Sequence, residues 1–586
     1  MRPTNLATVG LIGLMGCVES TQVDSAPKTL VLEPANVSVT VVDGQAIAQP
    51  YRATLVDSDG VTNDVTAETT FVLANESAGA WAGSLLTING EAVGPTHIVA
   101  AHGGLQAKAD LTVYSRSNRL LDAPANAAAM FERAVSDTGC VPEISYPADH
   151  VVMPPNLGEL DVQWIDTRND LFEVSVATSY VETRIYTRAP AWTKLAAADW
   201  TRLAAQHEPL ALRVSGVVEA VPQVRCNTVT QHISLTDQPI SGDVYLANAL
   251  GVQRVDAAQP MIAAESIFSA AMWDAMFAPL TGSEATGCLG CAISRDGRRL
   301  AIASPTTGAL YDFATHTLTA PGAQSWSEAS FTANGEKLIT ANGGDLHVIT
   351  RNGQPLTSIV HKNGYQGFDP QVSPDGRWLA NVEAIDPNAP TMQPGSGGAP
   401  STTTIEQPTS LPAFGSTIVV RQFFDGSNEM GGSTELMPLV AGIAAYYPAW
   451  SPDGRYIVFT RATDYSGTND VTAALYIMRA DGTQPPIQLT SPSHNLVIRA
   501  RFIPNELTVD GERVLMIAFE SRQAFGEQLP AGRLQLWAMP FYPDRTIESS
   551  CIGTAQTVCA PKAMAPAMRM PTQSLAVDNR MLSWVD

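Results

Sequence analysis

Short apolar runs parted by turn residues recur from residue 29 to the end of the chain. The clearest is Tyr456 to Thr460 (YIVFT), β-branched and aromatic and apolar at every position. That pattern predicts a strand buried on both faces rather than one that alternates towards water. Directly before it stands Ser451-Pro452-Asp453-Gly454, a hairpin turn with a mechanism. Proline presets φ at the first corner, aspartate caps the second, and glycine takes the left-handed position that closes it. The unit recurs as Ser373-Pro374-Asp375-Gly376 before WLANV and Ser294-Arg295-Asp296-Gly297 before RLAIAS. Thr332-Ala333-Asn334-Gly335 before KLITA is a further copy, and Asp510-Gly511 before VLMIAF a looser one.

Spacing makes an architecture of the turn. Asp296 and Asn334 lie 38 residues apart, Asn334 and Asp375 41. Asp375 and Asp453 lie 78 apart, with a Pro/Gly/Ser/Thr-rich insertion between them. A period of roughly 40 residues with several strands per unit predicts propeller blades. Six are expected, at 241–259, 292–318, 327–356, 370–425, 448–490 and 499–544, with 573–585 returning to the first blade to clasp the ring. The apolar stretch 261–280 is expected to be helical and to cap one face of the ring. Residues 386–410 read as a low-complexity loop.

Upstream, 29–115 shows short alternating segments with turn signals about every 8–12 residues, which predicts a β-sandwich. Asp57-Ser58-Asp59-Gly60 reads as a plain hairpin turn there, since its spacing fits no calcium loop. An Ala-rich helical linker is expected at 116–139, and a second sandwich with one helical excursion at 140–226. The fold class is thus all-β, one or two sandwiches followed by a six-bladed propeller at 230–586. That propeller is expected to fold alone, to set the stability and to carry the ligand.

Length and charge change this picture little. At 586 residues the chain exceeds one core. With 57 acidic against 35 basic residues, net charge −22, and no basic patch among aromatics, nucleic acid is excluded as a partner class. The N-terminus matters more. Arg2 and the apolar run Leu6 to Met15 form a targeting segment over 1–16, too short to span a bilayer. Residues 17–28 are a polar tether.

Three resemblances follow from these residues. Leu14-Met15-Gly16-Cys17 resembles the cleavage site of bacterial lipoprotein signal peptides, which implies a lipidated Cys17 and an outer-membrane anchor. The turn-and-strand repeats, with Leu475 to Gly482 (LYIMRADG), resemble the TolB-like, WD-repeat-related β-propellers over roughly 241–586. The first sandwich resembles the bacterial Ig-like domains of adhesins and invasins, and the second an Ig-like or fibronectin-III-like module.

Export places the cysteines in an oxidising compartment. Besides Cys17 there are six, Cys140, Cys226, Cys288, Cys291, Cys551 and Cys559, and proximity suggests pairing them in that order. Cys288-Leu289-Gly290-Cys291 is the best chemical lead, but Ala292 follows where a c-type haem needs histidine, so a local disulfide is expected. No G-x-S-x-G, H-E-x-x-H or Gly-Lys phosphate loop occurs, and the nine histidines are scattered. His347 and His361 are candidates for the channel wall. No cofactor or metal is expected, and no catalytic residue is assigned. The reading is a monomeric, non-catalytic envelope protein whose propeller binds a protein or glycan. A polysaccharide lyase or hydrolase at the channel mouth is the alternative, supported by a channel ring of His, Arg and carboxylates. Adhesion through the Ig-like module is a third.

Overall fold

The computed structural model describes residues 28–585, except 138, 277–290, 304–307, 320–325, 327, 343, 360–364, 386–414, 441, 464–471, 491–495, 531, 546–562 and 572. Cys17, the tether, Cys288, Cys551, Cys559, His361 and the 386–410 loop therefore lie outside the described residues. The chain divides into two compact units, Met1–Arg116 and Ser117–Asp586.

Unit one is all β. Thr29–Glu33 alternates exposed and buried positions, and Leu30 and Leu32 enter a core with Val41, Ala53, Leu86, Ile98, Leu111 and Val113. Asn36–Val42 runs parallel to 110–116, and Gly94–His102 pairs antiparallel with 105–113. In the Asp57 turn the side chain accepts from the N–H groups of Asp59 and Val61, at 3.1 and 2.9 Å, while Gly60 sits at φ 78°.

Unit two holds a smaller β-rich module and the propeller. The module buries Trp164, Phe172, Tyr186 and Trp200. Residues of the expected linker take part in it. The helix Ala127–Arg133 buries Ala127 and Phe131 against Leu171, Tyr186 and Val217. A second helix, Ala197–Ala204, sinks Trp200, whose indole N–H donates to the Pro155 carbonyl at 2.9 Å. Cys140 and Cys226 form a disulfide across 86 residues of sequence, and Cys291 is also disulfide-bonded.

The propeller has six blades, each a sheet of four strands or more. Blade two is Ala292–Ile293, Arg299–Ile302, Ala309–Asp312 and Thr317–Thr319. Blade three runs through Glu328–Phe331, Lys337–Asn342, Asp345–Thr350 and Pro355–Ile359. Blade four uses Tyr365–Val372, Trp378–Ile385, Ser416–Phe424 and Glu429–Glu435, and blade five Ala444–Trp450, Tyr456–Ala462, Ala474–Arg479 and Ile487–Gln488. Blade six pairs Val497–Phe502, Glu512–Ser521, Gln535–Phe541 and Met568–Arg569, with Leu507–Val509 added at the side. Blade one joins Asp243–Asn248, Gly251–Asp256 and Glu265–Ser269 to Arg580–Val585 from the far end of the chain. In blades two to six the first strand faces its counterparts around the axis, and in blade one Arg580–Val585 takes that place.

Two expectations change. The 261–280 stretch supplies a strand of blade one, Glu265–Ser269, and only then the short helix Ala270–Met276, where Trp273 packs on Phe268. The β-branched, aromatic ESIFS run can therefore pair with Gly251–Asp256. The propeller is also welded to the module before it. Asn156 Nδ2 donates to the carbonyls of Ile240 and Ala257, both at 3.0 Å, and Gln163 Oε1 accepts from the N–H groups of Glu527 and Gln528. The ring of Tyr146 meets Phe525 edge-on at 4.7 Å. A fragment cut at 230 exposes these partners, so the folding unit that contains the propeller begins at Ser117.

Candidate functional site

The repeated turns place the site. In four blades the turn serine or threonine hydroxyl bonds the side chain of the Asp or Asn two residues on, at 2.5–2.7 Å. That same side chain accepts an N–H two residues further along: Asp296 from Arg298, Asn334 from Glu336, Asp375 from Arg377 and Asp453 from Arg455. Gly297, Gly335, Gly376 and Gly454 all sit at φ 67–73°. Desolvation pushes the Asp453 carboxyl up, but Arg513, the Ser451 hydroxyl and the Arg455 N–H together hold it below its usual range. The fifth copy differs. Asp510 and Gly511 both have positive φ, 52° and 76°, and make a two-residue hairpin between Leu507–Val509 and Glu512–Ser521.

These turns ring one mouth of the axial channel. A cavity of about 270 Å³ there is lined from all six blades, by Ile293, Phe331, Pro374, Trp450, Phe502 and Trp584 among others. Arg295 reaches over it to the Pro374 carbonyl at 2.6 Å, and the Trp450 indole donates to the Gln371 carbonyl at 2.9 Å.

Below the mouth the blades contribute a charged floor. Counting four residues back from the turn Ser or Thr gives Glu328, Asp369 and Tyr447, so one register position on three neighbouring blades supplies all three. Asp369 N–H donates to Glu328 Oε2 at 2.6 Å, and Tyr447 N–H to Asp369 Oδ2 at 2.9 Å. Arg499 from blade six lies over the Tyr447 ring at 4.7 Å and bonds its hydroxyl at 3.1 Å. Across the ring, Met581 N–H donates to the buried Glu520 at 2.8 Å. Asp369, Tyr447 and Arg499 adopt left-handed backbone, φ 47–54°, each where the first strand of its blade slips register against the second. Non-glycine residues avoid that region, so three together mark a strained, built feature. The bulge turns these side chains inward.

Burial pushes the Glu328 carboxyl well up, and the neighbouring Asp369 charge adds to it. Asp369 is raised by burial too, opposed by the Tyr447 N–H, the Glu328 hydrogen bond and Arg499. Glu328 therefore keeps the proton and donates it to Asp369. The folded chain holds this proton at pH values where an unfolded glutamate, with a pKa of about 4.3, has lost it. Stability consequently falls as pH rises above about 4.3 until Glu328 ionises in the folded state. Glu328→Gln keeps the bond to Asp369 and removes the titration. Melting temperatures from about pH 4.5 to 8 are expected to fall less steeply for this variant, and equal slopes would refute the shared proton.

All ten turn residues singled out in the sequence are structural, whereas the floor residues were missed. An offset of four from each turn would have found Glu328, Asp369 and Tyr447. His347 is not in the channel: it lies in the third strand of blade three and bonds Ser358 in the fourth at 2.9 Å.

No family model matches the chain, and no curated protein sequence does. Its likeness to solved structures is limited to the propeller fold. TolB of Agrobacterium tumefaciens is 11% identical, over 58% of this chain and 98% of that one, with a TM-score of 0.29. A structure of the nidogen/laminin complex is 8% identical over 57% and 99%, TM-score 0.29. An oligogalacturonate lyase in complex with manganese is 11% identical over 44% and 74%, TM-score 0.24.

Proposed function

We propose that this chain is an exported, lipid-anchored binding protein of the bacterial envelope, and that the turn-side mouth of its propeller receives the ligand. One observation carries the reading. The mouth is a cavity of about 270 Å³ to which every blade contributes, while the charged floor beneath it leaves only about 30 Å³. A protein segment or a glycan end can seat in the mouth without threading the channel. The smaller module, packed to the propeller through Tyr146, Asn156 and Gln163, then works as part of the binding body rather than as a flexible spacer.

The floor favours a second reading, catalysis on a polysaccharide. Arginines and carboxylates of the kind a lyase or hydrolase uses are gathered there, though no histidine joins them among the described residues. Against it stands the bond between Glu328 and Asp369. Glycoside hydrolysis by two carboxylates needs them about 5–10 Å apart with substrate between them. Here they share a proton.

Cross-linking and pull-down from the native envelope, with the full chain and with Arg295→Glu or Gln371→Ala, tests the binding reading. The mouth variants are expected to lose the captured partner while melting like the parent. Capture that survives both variants and follows unit one instead would transfer the role to adhesion. Release of oligosaccharides from acidic polysaccharides would establish the catalytic reading.

The anchor is checked separately. Mass spectrometry of the mature N-terminus is expected to find acylated Cys17, as Leu14-Met15-Gly16-Cys17 implies. A free N-terminus at another residue, with soluble protein, would end the lipoprotein assignment.

A further inference from the structure

The histidines that read as scattered include two that the fold brings together. Asp149 and His150 precede the strand Val151–Met153, and His232 lies in Gln231–Leu235. Those strands run parallel with Val151 level with Ile233, so His150 and His232 stand side by side one position earlier. His150 N–H donates to the His232 carbonyl at 2.8 Å, which fixes the two backbones together. With His150 at φ 61°, the imidazoles lie nearly parallel, 12° apart in plane and 5.7 Å between centroids.

Asp149 completes the group. Its Oδ1 accepts from the N–H of His150 at 3.1 Å and of His232 at 2.7 Å, so the carboxylate cannot swing away. Its Oδ2 lies 3.5 Å from His150 Nε2, and Oδ1 lies 3.8 Å from His232 Nδ1. One ligand atom from each of the three residues lies within 4.8 Å of the others. A tetrahedral zinc ion with bonds of about 2.0–2.1 Å sets its ligands roughly 3.4 Å apart, within reach of small side-chain rotations.

An exposed Asp–His pair is commonly nothing more than a surface ion pair. What separates this group from one is the second imidazole at the same level and a carboxylate pinned by two backbone donors. Pinning of this kind orients a metal ligand before the ion arrives. We propose that Asp149, His150 and His232 bind one divalent ion of the zinc class, with a fourth position open to water or an exogenous ligand. Two imidazoles and one carboxylate suit Zn²⁺ or Co²⁺ and disfavour Ca²⁺ and Mg²⁺, which take all-oxygen sets. The open position lies on the rim of a cavity of about 690 Å³, lined by Val152, Phe519, Met539, Tyr542 and Met564. This replaces the expectation of no metal, and it makes no use of the ligand proposed for the propeller mouth.

The test is titration of the full chain with Zn²⁺ by calorimetry, and with Co²⁺ by visible absorption. One saturable site per chain is expected, with Co²⁺ bands of tetrahedral or five-coordinate intensity. His150→Ala and His232→Ala should each weaken binding at least 10-fold. Asp149→Asn keeps the Oδ1 acceptor that holds the backbone and loses the anionic oxygen, so it should weaken binding without moving the metal-free melting temperature. Zn²⁺ should raise the melting temperature of the parent and not of the His150→Ala/His232→Ala double variant. No saturable binding, or variants that bind as the parent does, would overturn the site.

Discussion

Phe459→Ala is expected to lower the stability of the propeller-containing unit by about 3–5 kcal/mol. The ring is fully buried in the second strand of blade five and stacks on Tyr476 at 5.8 Å between centroids. It belongs to one continuous core with Phe368, Val382, Ile418, Tyr446 and Ile498, drawn from blades four, five and six. Truncation therefore opens a cavity where neighbouring sheets meet, and close-packed sheets relax only partly into it. A loss of that size is a large part of a domain's usual margin of about 5–15 kcal/mol. Denaturant unfolding should show the midpoint shift in the transition of residues 117–586. Gly60→Val, at a left-handed turn in unit one, is the control: it should strain its own turn and leave that transition in place. A Phe459→Ala midpoint within experimental error of the parent would refute the shared core.

The same residue shows why so much of the propeller was legible in the sequence. YIVFT is apolar at consecutive positions because each face of a blade meets another blade, and the Ser-Pro-Asp-Gly turn before it leaves its chemistry in plain residue types. Where chemistry departed from that pattern, the sequence misled. Asp510-Gly511 looks like a weak copy of the turn but takes a different backbone, because both residues, not glycine alone, are left-handed. The channel floor was hidden for another reason. Asp369-Pro370 and Tyr447-Pro448 read as extended dipeptides, since proline steers the preceding residue towards extended backbone. Only tertiary packing holds these two residues at φ 47° and 54°. The Asp149, His150 and His232 group was invisible because 82 residues part its two histidines and only parallel strand pairing brings them level.

Removal of residues 580–586 is expected to abolish the cooperative transition of the propeller altogether. Arg580–Val585 is the innermost strand of blade one and pairs with 243–247, so it closes the ring by joining distant parts of the chain. Met581, Trp584 and Val585 are all buried, and the Trp584 indole donates to the Ser241 carbonyl at 2.9 Å. Just before the strand, Asn579 accepts from the buried Asn248 side chain at 3.0 Å. Trp584→Ala alone should cost about 3–5 kcal/mol. Loss of three such side chains, the strand pairing and the Met581 bond to Glu520 exceeds a margin of about 5–15 kcal/mol. A finer probe is Gly242, where an added Cβ would lie 2.4 Å from the Val585 carbonyl oxygen. Gly242→Ala must push the closing strand away, and φ 91° there already disfavours any side chain. Calorimetry should place the variants in order, with Gly242→Ala and Trp584→Ala lowered and the truncation without a transition. A synthetic peptide of residues 580–586 added in excess should restore part of the transition, since pairing with Asp243–Asn248 needs no covalent link. A truncated chain that melts within a few degrees of the parent would show that the ring closes elsewhere.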